Sequence, residues 1–138
     1  MRLSSFTDYG LRMLMRMASE PERVFSTAEL AREFGLSRNH LAKIMQKLAG
    51  GGIVETRRGG GGGAVLAQPA DQIRLGTVLR LLEAGQILVE CFATGGNACT
   101  IDGRCRLKAR LHAAEARFFD DLDRSTLADI ALTPTLTA

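Results

Sequence analysis

Three short segments with apolar residues at helical spacing, a basic glycine-rich hairpin directly after them, and a later amphipathic stretch together predict a mainly α-helical protein. Its expected architecture is a winged helix-turn-helix, residues 1–68, followed over 69–138 by a cysteine-containing loop and further helices. The 138 residues suit one globular domain or two small ones sharing a core. With 46% hydrophobic and 24% charged residues there is material for such a core and no bias towards disorder. Arg2, Asp8, Arg12 and Arg16 interrupt the first twenty residues, so neither a membrane-spanning helix nor a secretory signal is expected, and the cytoplasm is the expected compartment.

The first helix is expected from the stripe Phe6, Gly10, Met13, Leu14 and Met17, with Thr7 or Ser5 as its cap and Glu20-Pro21-Glu22 ending it. Val24 and Phe25 predict a short extended link. Ser26 or Thr27 then caps a second helix whose apolar face is Leu30, Ala31 and Phe34. Gly35 breaks it, and Ser37 caps a third helix running to about Leu48, with Leu41, Ile44, Met45 and Leu48 buried. That pattern leaves Arg38, Asn39, His40, Lys43, Gln46 and Lys47 on the opposite side, a face of donors and cations. Ile53 to Thr56 and Ala64 to Leu66 read as two strands around Arg57, Arg58 and the run Gly59 to Gly63. Beyond Pro69, a helix with Val78, Leu79, Leu81 and Leu82 inward is expected after Ile73 and Leu75. A loop then spans roughly Val89 to Cys105, a long helix about Arg106 to Leu122, and a short last helix begins at Ser125 or Thr126.

Charge separates the two halves. Residues 1–68 carry 10 Lys and Arg against 6 Asp and Glu, a balance of +4, and residues 69–138 carry 8 against 9, a balance of −1. A basic half joined to a near-neutral one points to a polyanion-binding module and a second module with another task. In a winged helix-turn-helix the second helix of the pair enters the major groove, while the hairpin follows the phosphates or the minor groove. Arg38 and Asn39 begin that helix, where side chains reach base edges; arginine suits guanine and asparagine adenine. His40 belongs to the same face. Lys43, Lys47, Arg57 and Arg58 are placed for phosphates, and Gly59 and its neighbours let backbone amides approach the sugar-phosphate chain. A nucleotide-binding loop is excluded, because Gly63 leads into a strand and no Lys-Ser or Lys-Thr follows the glycines.

Three cysteines, Cys91, Cys99 and Cys105, fall in one loop. An odd number cannot pair fully within a chain, and a cytoplasmic setting disfavours disulfides, so a metal or iron-sulfur site is expected. Structural zinc normally uses close Cys or His pairs, absent from the spacing x7 and x5, so thiolate-rich iron-sulfur binding is favoured over zinc. His112 is a conceivable nitrogen donor, but on an amphipathic helix it reads first as structural or solvated. No orienting third group accompanies Cys91 or Cys99 with His112, so an enzyme is not expected.

The opening Met1 to Arg12, the helix start Ser37-Arg38-Asn39-His40-Leu41 with Lys43, the wing Arg58-Gly59 with Gly62-Gly63, and the tail segments Cys105-Arg106-Leu107 and Leu127-Ala128-Asp129 carry a family resemblance. Over nearly the whole chain the sequence resembles nitric-oxide-responsive repressors of the NsrR type. These lie in a bacterial family of iron-sulfur winged-helix regulators that also includes the IscR and RirA types. Glu90-Cys91-Phe92 with the same cysteine spacing is also similar to the iron-responsive RirA type. Ser125, where an aromatic residue is common, and the all-glycine wing depart from the pattern. The resemblance implies a homodimer whose long helices cross and bury Leu107, Leu111 and Phe118. It implies an iron-sulfur cluster, 4Fe–4S over 2Fe–2S, on Cys91, Cys99 and Cys105, with Asp8 supplied by the partner subunit as fourth ligand and steadied by Arg12. It further implies a double-stranded DNA operator as partner and nitric oxide as signal. An iron-status regulator is the alternative within the family, and an iron-sulfur electron-transfer or carrier protein a distant one.

Overall fold

A computed structural model describes residues 1–59 and 62–133 of the chain. Helix α1 spans Ser5–Ser19 and begins one residue earlier than the expected caps allow: the Ser4 hydroxyl accepts from the Thr7 N–H at 3.2 Å. Thr7 is fully buried, its hydroxyl accepting from Ser4 at 3.1 Å, which explains why it cannot serve as the exposed cap. Helix α2 (Thr27–Phe34) is capped by Ser26, and α3 (Arg38–Gly50) by Ser37. Between α2 and α3, Gly35 takes φ +66°, the left-handed conformation that ends a helix in one residue and sets the tight turn.

The wing follows. Strands β1 (Val54–Arg57) and β2 (Gly63–Leu66) pair antiparallel with Val54 opposite Leu66 and Arg57 opposite Gly63. The first strand is shifted one residue from expectation, because Ile53 instead donates to the Leu48 carbonyl and closes the end of α3. Phe25, expected in a short extended link, joins the wing: its N–H donates to Ala64 and its carbonyl accepts from Ala64, at 2.9 and 2.8 Å. Gly60 and Gly61 of the glycine run, and residues 134–138 of the C-terminal segment, lie outside the described residues.

Helix α4 (Leu75–Leu82), the long helix α5 (Arg106–Leu122) and the short α6 (Leu127–Ile130) complete the chain. Thr126 and Asp129 form a reciprocal capping box on α6. One hydrophobic core runs across position 68. Met13, Leu14 and Met17 of α1, Leu30 of α2, and Leu41, Ile44 and Leu48 of α3 pack together with Phe25, Ile73, Val78, Leu82 and Leu127. Among the helices, α5 packs on α4 alone. None of its residues is buried within one chain; Gly76 of α4 lies against the Phe119 backbone, Arg80 reaches Asp120 at 2.8 Å, and Asp123, just past the helix, accepts from the Thr77 N–H at 2.8 Å and from Arg80 at 2.7 Å. Burial pushes the Asp123 carboxyl upward, but Arg80 and the Thr77 amide outweigh it and hold the group below the usual carboxylate range.

Candidate nucleic-acid interface and thiol loop

The geometry of α3 follows from its apolar stripe. With Leu41, Ile44 and Leu48 fully buried against α1, the helix must turn Arg38, Asn39, Lys43, Gln46 and Lys47 outward, and all five are exposed. Arg57, Arg58 and Gly59 are exposed on the adjoining wing, with Gly59 at φ +114°. His40 alone among the predicted DNA-facing residues is drawn inward. Half-buried, its ring meets the edge of Tyr9 at 5.4 Å between centroids and lies 6.2 Å from Phe6. The sequence pattern put His40 with the donors because imidazole is polar; the aromatic pair on α1, one turn apart, is the signal that would have placed it.

Asp8 sits on the first turn of α1, about half exposed, and its two carboxylate oxygens accept from Arg12 Nε and Nη2 at 3.2 and 2.8 Å. The charge pairing expected between these residues is present. In one chain Asp8 is thus bound to Arg12 and not to a thiol.

The thiol loop is held by polar contacts more than by packing. A 3-10 turn carries Glu90–Phe92; the Glu90 carboxylate accepts from the Ala98 N–H, and the Asn97 side chain accepts from the Cys99 N–H, both at 2.9 Å. Gly95, Gly96 and Gly103 take φ of +97°, +100° and +93°, so the chain reverses direction where side chains with a Cβ would be strained. Asp102 accepts from Lys108 at 2.8 Å and from Asn97 at 2.8 Å, which holds its carboxyl below the ordinary range. Lys108 is raised in turn, by Asp102 first and to a lesser degree by Cys91 and Cys105. The ion pair of Lys108 with Asp102, which ties the start of α5 to the thiol loop, was missed by the sequence reading; the signal was available, since Lys108 follows Cys105 by one helical turn. Cys105 itself is the N-cap residue of α5. The helix N-terminus behind Cys105 favours the thiolate form there, while the Lys108 charge is paired with Asp102.

All three cysteines are free and half-buried. Among the described residues, no three Cys, His, Asp or Glu side chains converge as a finished metal cage, so the expected ligand trio is not drawn together within a single chain. Thiols must lose their protons to bind a metal, so binding at such a loop is coupled to pH and to folding. Three unpaired thiols on a glycine-hinged loop fit a thiolate-bound cluster in donor chemistry. His112, the conceivable nitrogen donor, is occupied differently: its ring stacks on Phe92 at 3.7 Å with 14° between planes.

An exposed donor face on a helix-turn-helix beside a basic wing defines a DNA-binding transcriptional regulator of the winged-helix class. Residues 3–133 match the model of the Rrf2 family, described as iron-dependent transcriptional regulators, and the chain belongs to that family. Solved structures agree in fold. The cysteine regulator CymR of B. subtilis is 25% identical over 95% of this chain and 96% of its own, with a TM-score of 0.71. CymR of Staphylococcus aureus is 26% identical over 95% and 98%, with a TM-score of 0.70. IscR of T. potens is 24% identical over 94% of this chain and 85% of its own, again at 0.70. No described helix is long and apolar enough to cross a membrane.

Proposed function

We propose that this protein is a cytoplasmic, homodimeric transcriptional repressor that senses nitric oxide through an iron-sulfur cluster, with residues 1–68 reading DNA and 69–138 sensing and pairing. Cys91, Cys99 and Cys105 would hold the cluster, 4Fe–4S in preference to 2Fe–2S, and Asp8 of the partner subunit would complete it. The observation that carries this reading is the combination of three free thiols on one glycine-hinged loop with a half-exposed Asp8 on the helix that packs on α3. The cluster supplies an iron whose carboxylate ligand is hard and exchangeable against soft thiolates, hence the coordination place most open to a small diatomic molecule.

The chain's own residues supply the rest. Arg38 and Asn39 contact base edges, Lys43, Lys47, Arg57 and Arg58 contact phosphates, and Gly59 admits the sugar-phosphate backbone at the wing. Leu107 on α5, 61% exposed, together with half-buried Leu111 and Phe118 gives a second copy an apolar stripe to cover. Loss of Asp8 as a ligand would change what the first turn of α1 is tied to and, because α1 packs on α3, would alter the separation of the two reading helices in the dimer, lowering operator affinity.

Anaerobic purification with an absorption spectrum tests the cofactor. Wild type should show broad thiolate-to-iron absorbance that Cys99→Ala lacks; zinc alone, or bare thiols, would defeat the reading. An iron-status regulator is the second reading, and the family's description as iron-dependent favours keeping it. An electron carrier has no use for the exposed donors of α3.

A further inference from the structure

The thiol loop is fastened to α5 at two points, and both lie on the helical face that Cys105 begins. At the first, Phe92, the residue after Cys91, stacks on the His112 ring at 3.7 Å with 14° between planes. At the second, a chain of hydrogen bonds runs from α5 back to Cys99. Lys108 donates to one Asp102 oxygen at 2.8 Å, the Asn97 amide donates to the other at 2.8 Å, and the Asn97 carbonyl oxygen accepts from the Cys99 N–H at 2.9 Å. Cys105, Lys108 and His112 stand at positions i, i+3 and i+7, hence on one face of α5. Glu90, on the other side of Cys91, closes the loop on itself by accepting from the Ala98 N–H. We propose that Lys108 and His112 are positioning residues: they dock the backbone beside Cys99 and Cys91 on the face that starts at Cys105, so that all three thiols are referenced to one helix before a cluster binds.

The inference deepens the reading that these cysteines hold an iron-sulfur cluster, and it rests on that reading. Gathering three thiols from a free loop costs the conformational entropy of closing the segments between them. Docking the loop in advance removes part of that cost, as preorganisation does at any binding site. Either contact alone is weak, since the Lys108 and Asp102 side chains are each about a third exposed. Placed one turn apart on one helix, the two restrain both ends of the loop. In this role His112 uses the face of its ring, so a phenyl ring serves equally; a nitrogen ligand has no such substitute.

The test compares Lys108→Met, Lys108→Arg, His112→Leu and His112→Phe in the full chain. In the reduced, metal-free protein, Lys108→Met should speed hydrogen exchange at the Cys99 amide about fivefold, the share of one hydrogen bond, although Asp102 and Asn97 stand between. The Leu41 and Ile44 amides of α3 should exchange as in wild type. After anaerobic loading with ferrous iron and sulfide, Lys108→Met and His112→Leu should lose their absorbance to an iron chelator roughly tenfold faster than wild type, the lower end of the usual cost of removing a group that orients a metal ligand. Lys108→Arg and His112→Phe, which keep the ion pair and the stack, should match wild type in both measurements. Should His112→Leu not fold, Phe92→Leu cuts the same stack and should give the same loss. A His112→Phe protein that fares as badly as His112→Leu overturns the docking role of His112 and makes it a ligand. Unchanged Lys108→Met and His112→Leu proteins beside a loaded wild type overturn the docking alone. A wild type that loads no cluster overturns the cofactor reading and this inference with it.

Discussion

The DNA-facing unit and the thiol loop with α5 are built on opposite principles. In the first, Leu41, Ile44 and Leu48 have no solvent exposure and every exposed residue of α3 is placed by where the stripe must go. In the second, α5 buries none of its residues in one chain, and the loop before it is shaped by single hydrogen bonds such as Glu90 to Ala98 and Asn97 to Cys99. A rigid reader needs a pose fixed by close packing. A segment that gathers three thiols or meets a second chain, as proposed for this one, benefits from low local stability, since responsive elements are drawn from that end of the range. The core of this fold thus holds α3 in place, whereas the thiol loop and α5 rely on a few polar contacts and leave an apolar stripe uncovered in one chain.

Several substitutions would break or sharpen that contrast. The most drastic is expected on cofactor binding. Cys91→Ala, Cys99→Ala or Cys105→Ala should each abolish cluster absorbance while the melting temperature of the cluster-free protein stays within a few degrees of wild type, since no cysteine belongs to the core. Retained absorbance in any one variant removes that residue from the ligand set.

Next come the two apolar stripes. Leu48→Ala should cost roughly 2–5 kcal/mol in urea unfolding, the usual range for a fully buried leucine. Leu107→Ala should cost under about 0.5 kcal/mol in the isolated chain, as surface changes do, and should show itself as dimer dissociation in sedimentation. Equal losses for the two would erase the contrast.

Smaller effects belong to the DNA face. Arg38→Ala should cost about 1–3 kcal/mol on a selected duplex and little on random DNA. Lys47→Ala or Arg58→Ala should weaken both alike and lower the salt slope by roughly one unit. Parallel losses on both duplexes for Arg38→Ala would assign it to phosphate instead of bases.

The least is expected at the joint between α4 and α5. Asp123 has its carboxyl depressed in the folded chain, so its contribution is present above the unfolded carboxylate range and disappears as pH falls through the lower folded value. Asp123→Asn should therefore lower stability by about 1 kcal/mol at neutral pH, and the gap to wild type should close below roughly pH 4 in a pH series of urea melts.

Much of the reader was legible in the sequence because its pattern is redundant. The stripes of α1 to α3, the Ser26 and Ser37 caps and the Gly35 break all point to the same helices, and α5 begins and ends where expected. What escaped is non-local. Phe25 pairs with Ala64 across the wing, Ser4 takes the cap because Thr7 is buried, and His40 turns to aromatic partners on another helix. At the thiol loop, spacing singled out the ligand candidates but could not show that Asn97 accepts from the Cys99 N–H, or that His112 stacks on Phe92. Those contacts depend on loop backbone that apolar periodicity does not encode.

The sensor assignment is tested most directly by titrating the anaerobic, cluster-loaded dimer with nitric oxide, and separately with an iron chelator, while following binding to the selected duplex. Loss of the complex at substoichiometric nitric oxide per cluster is the expected result. A complex that survives nitric oxide but dissolves when iron is withdrawn would contradict it and put the iron-status regulator in its place.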